Sequence, residues 1–316
     1  MSEKITVIHH SADFDGLFCR EIARKFLPDA ELIGWDFGDA PLEIPSGLIY
    51  VMDLPIDRVF GFDYSKVGNN RGLQHLLGLV WIDHHKSSIE SHPTGISGYR
   101  IDGVAACRLA WQWFDSPKYE APVEPLLRQY YPLPTKQDFI DRNVSEPLAV
   151  RLAGEYDIWD KRDPRAELFQ HGLRSQDLGE NMWDLMLVNA DEHPDGVVDA
   201  GTITVMALLE NGKALQYART RENESIIKEI GFTIQWEGLT FLACNAARYN
   251  SHLFTAGLKP EHDACFGFKW TGKKWSVSLY HAPGKEHLDL SLIAKQYGGG
   301  GHRGACGFQC EKLPFL

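Results

Sequence analysis

Apolar residues fall in short, mostly continuous runs through the first ninety positions. Residues 5–8, a β-type run that includes Thr6, lead into His9. Residues 31–35, opening on Glu31, look like a second strand, 48–52 form a third run that stops at Asp53, and 79–82 a fourth that stops at Asp83-His84-His85. After the first run, residues 17–27 place Phe18, Ile22 and Phe26 four apart, on one face of a helix. Mostly continuous apolar strands alternating with helices predict an α/β domain: a mostly parallel sheet with helices on both faces. In such sheets ligands bind beyond the carboxyl ends of the strands. The polar residues that end three of these runs are therefore expected to meet at one sheet edge.

The pattern is less regular further on. Helices are expected over 103–113 and 143–160, the second carrying Asp157. Residues 117–134, rich in Pro, Tyr and charge, read as an insertion. Periodicity breaks over 176–201, and a long helix follows over 207–230. The last eighty residues change character: a strand at 241–244, a hairpin of 264–269 with 275–280 around Thr271-Gly272-Lys273, and a short helix over 289–297 with Asp289 as N-cap. A smaller mixed α/β C-terminal domain is expected there. The boundaries read as 1–190 for the first domain, 191–235 for linker and connecting helix, and 236–316 for the second.

Composition narrows the class. With 316 residues, 44% hydrophobic and 24% charged, the chain has ample material for two globular cores. No segment offers the ~20 apolar residues of a membrane span, and the N-terminus has no secretory apolar region. A cytoplasmic protein with no membrane partner is expected. The six cysteines form no Cys-x-x-Cys pair, so buried free thiols are expected rather than disulfides or a thiolate metal site. Most of the nine tryptophans, including Trp111, Trp113 and Trp159, read as core residues. The net charge of −11 disfavours long duplex nucleic acid, which usually meets a basic surface. A short anionic substrate remains compatible if bound cations supply positive charge locally.

The candidate chemistry lies at the strand ends. In His9-x-x-x-Asp13-x-Asp15-Gly16, an imidazole and two carboxylates suit a divalent ion such as Mn²⁺ or Mg²⁺, although Asx-rich turns also look like this. Asp83 beside His84 and His85 fits a carboxylate orienting a ligating histidine. Asp53 or Asp157 taken alone is equally a cap or a solvated helix residue. Together, so many carboxylates without counter-charges would repel one another. Divalent cations would remove that repulsion, and a pair of them would clamp both oxygens of a phosphoryl displacement. Near the C-terminus, Gly298-Gly299-Gly300-Gly301-His302-Arg303 offers backbone N–H groups that an anion can approach closely, with Arg303 as a bidentate donor.

These motifs, in this order and rough spacing, resemble those of the DHH superfamily of phosphoesterases. The segment from Gly299 to Gly307 resembles the glycine signature of the associated DHHA1 domain, with the nanoRNase and cyclic-nucleotide phosphodiesterase group the most similar. The resemblance covers both ends of the chain and leaves the middle hundred residues without support. It implies a hydrolase with two divalent metal ions, Mn²⁺ favoured and Mg²⁺ the alternative. His9 and Asp13 would hold one ion, Asp15, His84 and Asp157 the other, and Asp53 would bridge them. Asp83 would support its histidines, and His85 would face the substrate phosphate. A water made acidic by both ions would be the nucleophile. Gly299, Gly300, Gly301, His302 and Arg303 would bind substrate. Two departures stand out: Cys306 replaces an alanine of the signature, and Tyr280 stands where members often carry arginine.

The expected activity is hydrolysis of short oligonucleotides to mononucleotides, in a cleft between domains that limits substrate length. The alternatives are cyclic mono- or dinucleotides or nucleoside bisphosphates as substrate, or, in another class, a non-catalytic nucleotide-binding protein.

Overall fold

The computed structural model describes residues 4–62, 78–91, 95–115, 132–160, 162–188 and 200–315. The chain divides into two compact units, Met1–Lys213 and Ala214–Leu316. Most of 117–134, read as an insertion, lies outside the described residues.

The first unit opens with β1 (Ile5–His10), α1 (Phe14–Phe26), β2 (Glu31–Trp35), β3 (Leu48–Met52), α2 (Ile56–Phe60), β4 (Leu79–Asp83), α3 (Lys86–Ser91) and β5 (Ser97–Arg100). It continues with α4 (Ala106–Phe114), α5 (Lys136–Ile140), α6 (Leu148–Asp157), α7 (Arg165–Leu173) and α8 (Glu180–Met186). The five strands form one sheet in the order β2-β1-β3-β4-β5, every pair parallel. Alternate side chains serve opposite faces. Val7, Tyr50, Met52, Val80 and Ile82 pack with α1, α4, α6 and α7 on one side. Ile8, Ile49, Val51 and Trp81 pack with α2 on the other. Both faces are dry, which is why these strands read as mostly continuous apolar runs.

Two expectations need adjustment. The helix expected over 143–160 starts only at Leu148, with Pro147 as its N-cap. The proline disfavours helical backbone at Glu146 and so sets the start. Within 176–201, where no element was expected, α8 packs Trp183 and Met186 into the core.

A 31-residue helix, α9 (Ala200–Ile230), runs across the division between the units. The second unit then adds β6 (Phe232–Trp236), β7 (Leu239–Asn245), β8 (Ala264–Trp270), β9 (Trp275–His281), α10 (Ser291–Gln296), β10 (Gly300–His302) and β11 (Ala305–Cys310). Its mixed sheet has the order β10-β11-β9-β8-β7-β6, with β7 and β8 the parallel pair. Trp236, Phe241, Phe266, Phe308 and Leu290 form its centre. Asp289 is not the N-cap of α10. Leu290 holds that position without a side-chain bond, and Asp289 Oδ1 accepts from the N–H and hydroxyl of Ser291.

All six cysteines are free thiols, five of them buried. Trp111 and Trp113 are in the core, whereas Trp159 is 59% exposed. Among the described residues no helix is long and apolar enough to cross a membrane.

Candidate metal centre

The carboxyl ends of β1, β3 and β4 lie side by side in the sheet, so the residues that follow them converge. Asp13 caps α1, its Oδ1 accepting from the Gly16 N–H at 3.0 Å. A Cβ at position 16 would sit 2.1 Å from the His10 carbonyl oxygen. Only glycine lets the helix start so close to the strand. Asp15 is fully enclosed, and its carboxylate accepts from the N–H groups of Ala106 and Cys107 at 2.8 and 2.7 Å. It thereby ties α1 to the first turn of α4.

Asp53, 2% exposed, adopts a left-handed backbone with φ of 60°. That conformation costs about 1–3 kcal/mol in a non-glycine residue, and such strain gathers at functional sites. Its N–H donates to the Ile82 carbonyl at 2.9 Å, holding the turn against β4. Asp83 is buried. Its Oδ1 accepts from the His84 N–H (2.7 Å), the His85 N–H (3.3 Å) and His85 Nδ1 (2.7 Å). The His85 ring is thus held through Nδ1, leaving Nε2 for other contacts.

His84 is the hub of the cluster. Its Nε2 lies 3.3 Å from Asp53, 3.4 Å from Asp157 and 3.5 Å from Asp15. Among the described residues, ligand atoms lie close enough to share an ion in three groups: Asp15, His84 and Asp157; Asp53, His84 and His85; and His10, Asp13 and Asp53. Asp53 belongs to two of them.

Among the described residues no such group includes His9. Successive strand residues face opposite ways, and the His9 ring is buried beside Gly34 with Nδ1 bonded to the His10 carbonyl. His10 stands in the cluster instead. Its Nδ1 is 2.9 Å from Asp13 and 3.4 Å from Asp53, and its Nε2 is 3.2 Å from Asp36. A histidine held by a carboxylate on one nitrogen and offering the other is a frequent metal-ligand arrangement. Sequence spacing pointed to the first of two adjacent histidines. The alternation of the strand was the signal that could have separated them.

The charges are strongly coupled. Burial alone would lower the His84 pKa, but Asp53, Asp15 and Asp157 raise it to about 10. Burial likewise opposes the charge on His10, which Asp13 and Asp53 nevertheless lift to about 11. Burial and the Asp15 charge push Asp157 up to about 7. Burial, with the neighbouring Asp53 charge, raises Asp15 too. Without cations, these shifts favour protons on the imidazoles and on some of the carboxylates of the cluster. His10 Nδ1 and Asp53 Oδ2 are buried without a well-formed hydrogen bond. Oxygen and imidazole donors crowded this closely, with His10 Nδ1 only 3.4 Å from Asp53 Oδ2, fit divalent cations, which would replace those protons.

The glycine motif folds as a hairpin in the second unit. Helix α10 ends at a left-handed Gly298, with the N–H of Gly298 donating to Lys295 and that of Gly299 to Ala294. Strands β10 and β11 then pair from Gly300 opposite Gly307 to His302 opposite Ala305. Gly301 (φ 126°) has no room for a Cβ, which would meet the Cys306 Cα at 2.7 Å, whereas Gly300 faces open space. His302 and Arg303 are exposed, and the Arg303 guanidinium donates to the His287 carbonyl. Tyr280 packs beside Phe254 in a small core, at a ring distance of 6.4 Å.

The fold has solved counterparts. A pGpG-specific phosphodiesterase, PggH, from Vibrio cholerae superposes with a TM-score of 0.51 at 13% identity, over 98% of this chain and 94% of that one. The chain shares the fold of that phosphodiesterase. The Mn²⁺ complex of RecJ from Thermus thermophilus aligns at 14% identity and a TM-score of 0.43, over 99% of this chain and 50% of RecJ. An uncharacterized protein, R106, of Acanthamoeba polyphaga mimivirus is 27% identical over 156 residues, 48% of this chain and 34% of its own length. The match thus spans about a third of that relative. No family model matches the sequence.

Proposed function

We propose that this protein is a metal-dependent phosphodiesterase that hydrolyses short oligonucleotides to mononucleotides. The observation that carries the proposal is the convergence of Asp15, Asp53, Asp157 and His84 with the His10–Asp13 pair, where carboxylates and imidazoles meet within ligand distance of one another. Similarity of fold to a phosphodiesterase supports the reaction class.

Two ions fit the donor set. Asp15, His84 and Asp157 would hold one, Asp13 with His10 the other, and Asp53 both. Manganese suits the mixture of imidazole and carboxylate. Bound cations would supply the positive charge that makes a water nucleophilic and offsets charge on the phosphoryl oxygens. The protein's own residues do the rest. Asp83 fixes the His85 ring, whose Nε2 would donate to a phosphoryl or leaving oxygen. The hydrogen bond to Asp83 raises the His85 pKa and favours the protonated form that such donation needs. In the second unit, Gly300, His302 and Arg303 would offer N–H donors to an anionic group, and the protein works as a soluble cytoplasmic enzyme.

Purified protein with Mn²⁺ should be given RNA and DNA of two to twenty-four nucleotides, cyclic mono- and dinucleotides, nucleoside bisphosphates and pyrophosphate. Conversion of the shortest oligonucleotides into mononucleotides is expected. Faster loss of a cyclic nucleotide or bisphosphate would keep the reaction class and replace the substrate. No turnover, with the metal demonstrably bound, would overturn the proposal in favour of nucleotide binding alone.

A further inference from the structure

Helix α6, which delivers Asp157, ends in an unusual way. The Trp159 N–H donates to the Tyr156 carbonyl at 3.1 Å and the Asp160 N–H to the Glu155 carbonyl at 2.8 Å. This is the paired closing motif that also ends α10, and it demands that the first of the two donor residues be left-handed. At the end of α10 that residue is Gly298. At the end of α6 it is Trp159, with φ of 56°. A bulky aromatic is a genuine outlier in this region, and an outlier is grounds for a functional hypothesis.

The ring's setting says what the function is. It stacks on Tyr156 with centroids 5.9 Å apart and planes 28° from parallel, yet most of its surface meets solvent. The Tyr156 ring is backed in turn by the Arg174 guanidinium, 5.6 Å from its centroid. Trp159 also walls a cavity of about 150 Å³ with Tyr156, Pro164 and Ala166. That is well below the roughly 300–1,000 Å³ of a pocket for a whole ligand, so it suits one ring system. The carboxylates at this cavity do not call for a cation. Glu155 is paired with Arg142 and Arg151, Asp160 with Arg162, and Asp163 with Arg151 and Arg165, while Glu167, which also lines the cavity, lies 3.9 Å from His171. Trp159 follows the candidate ligand Asp157 by two residues, a chain reach of at most about 7 Å. The Trp159 backbone therefore lies close to that of a candidate ligand.

We infer that Trp159 is a base-stacking residue, holding the heterocycle of a nucleotide whose phosphate lies at the metal centre. The substrate class rests on the proposed phosphodiesterase activity; the stacking itself is measurable without turnover.

The test uses W159N, because asparagine tolerates left-handed backbone and has no ring, beside W159F, which keeps one. Binding of a nucleoside monophosphate and of ribose 5-phosphate is titrated on the metal-loaded full-length protein. Wild type should prefer the nucleotide. W159N should lose about tenfold on the nucleotide, the scale of one stacked base, and nothing on the sugar phosphate, while W159F keeps most of the preference. With a dinucleotide substrate the loss should appear in KM rather than kcat. A wild type that binds both probes equally, or a W159N protein that keeps the preference, overturns the inference. Absence of turnover in wild type counts against the activity, and the nucleotide preference still decides the role of Trp159.

Discussion

The candidate metal centre and the glycine hairpin use opposite means. The first gathers ionisable side chains, many of them buried, where each holds its place through another: Asp83 orients His85, Asp36 engages His10, and Asp15 ties down α4. The second offers backbone, open to solvent, shaped by residues that lack side chains. A buried charged network is sensitive to the loss of any one member. An exposed backbone loop is sensitive only where an added atom collides.

The sharpest way to break this contrast is Asp53→Ala. Because Asp53 lies in two ligand groups, activity should fall by about 10²–10³-fold or more, the scale of losing one preorganised electrostatic partner. Some loss of stability is expected, because His84 and His10 lose a buried partner, while the secondary structure should remain. Circular dichroism and turnover measured together would show it, and full activity in this variant would sink the metal assignment.

The two histidines of β1 should separate next. His10→Ala is expected to weaken Mn²⁺ binding by roughly 10–100-fold. His9→Ala should leave binding nearly unchanged and lower thermal stability through the cavity it creates. Calorimetric titration and melting curves distinguish these outcomes, and the reverse pattern would return the role to His9.

Proton release tests the electrostatics. His84 and His10, raised to about 10 and 11, carry their protons at neutral pH in the metal-free protein. A cation must displace them, so binding should release protons at pH 7 and tighten as pH rises from 6 to 9. The same sign gives a second reading. A histidine whose folded pKa exceeds its unfolded value stabilises the fold at low pH, and that contribution disappears as pH climbs through the folded value. The metal-free protein should therefore lose stability in alkali more than the loaded one. Metal affinity independent of pH would contradict the charge assignments.

The smallest effects belong to the hairpin. Gly301→Ala should lower the melting temperature of the second unit, because its Cβ meets backbone. Gly300→Ala faces open space and should cost little stability. If it nonetheless weakens substrate binding, an anion approaches the backbone there. If it does not, the glycines serve the packing of β10 against β11.

Much of the first unit was legible because doubly covered strands are apolar throughout and end where water and ligands begin. The edge strand β5, Ser-Gly-Tyr-Arg, escaped because it has no apolar run. His10 escaped because motif spacing cannot say which of two neighbours a strand turns toward the cluster. Trp159 escaped for a different reason. Composition treats tryptophan as core material, and only backbone angles reveal one held out in a glycine's conformation.

The enclosed thiols have a practical consequence. Burial, reinforced by nearby carboxylates, lifts the thiols of Cys19 and Cys107 far above their ordinary ionisation range, and burial alone raises Cys265 to about 12. None can meet an alkylating reagent as thiolate until its surroundings open. Cys19 and Cys107 belong to the first unit and Cys244, Cys265 and Cys306 to the second. The chain therefore carries its own pair of clocks. Timed alkylation followed by peptide mass analysis reads how often each half breathes, and added Mn²⁺ should slow the first clock while leaving the second to run.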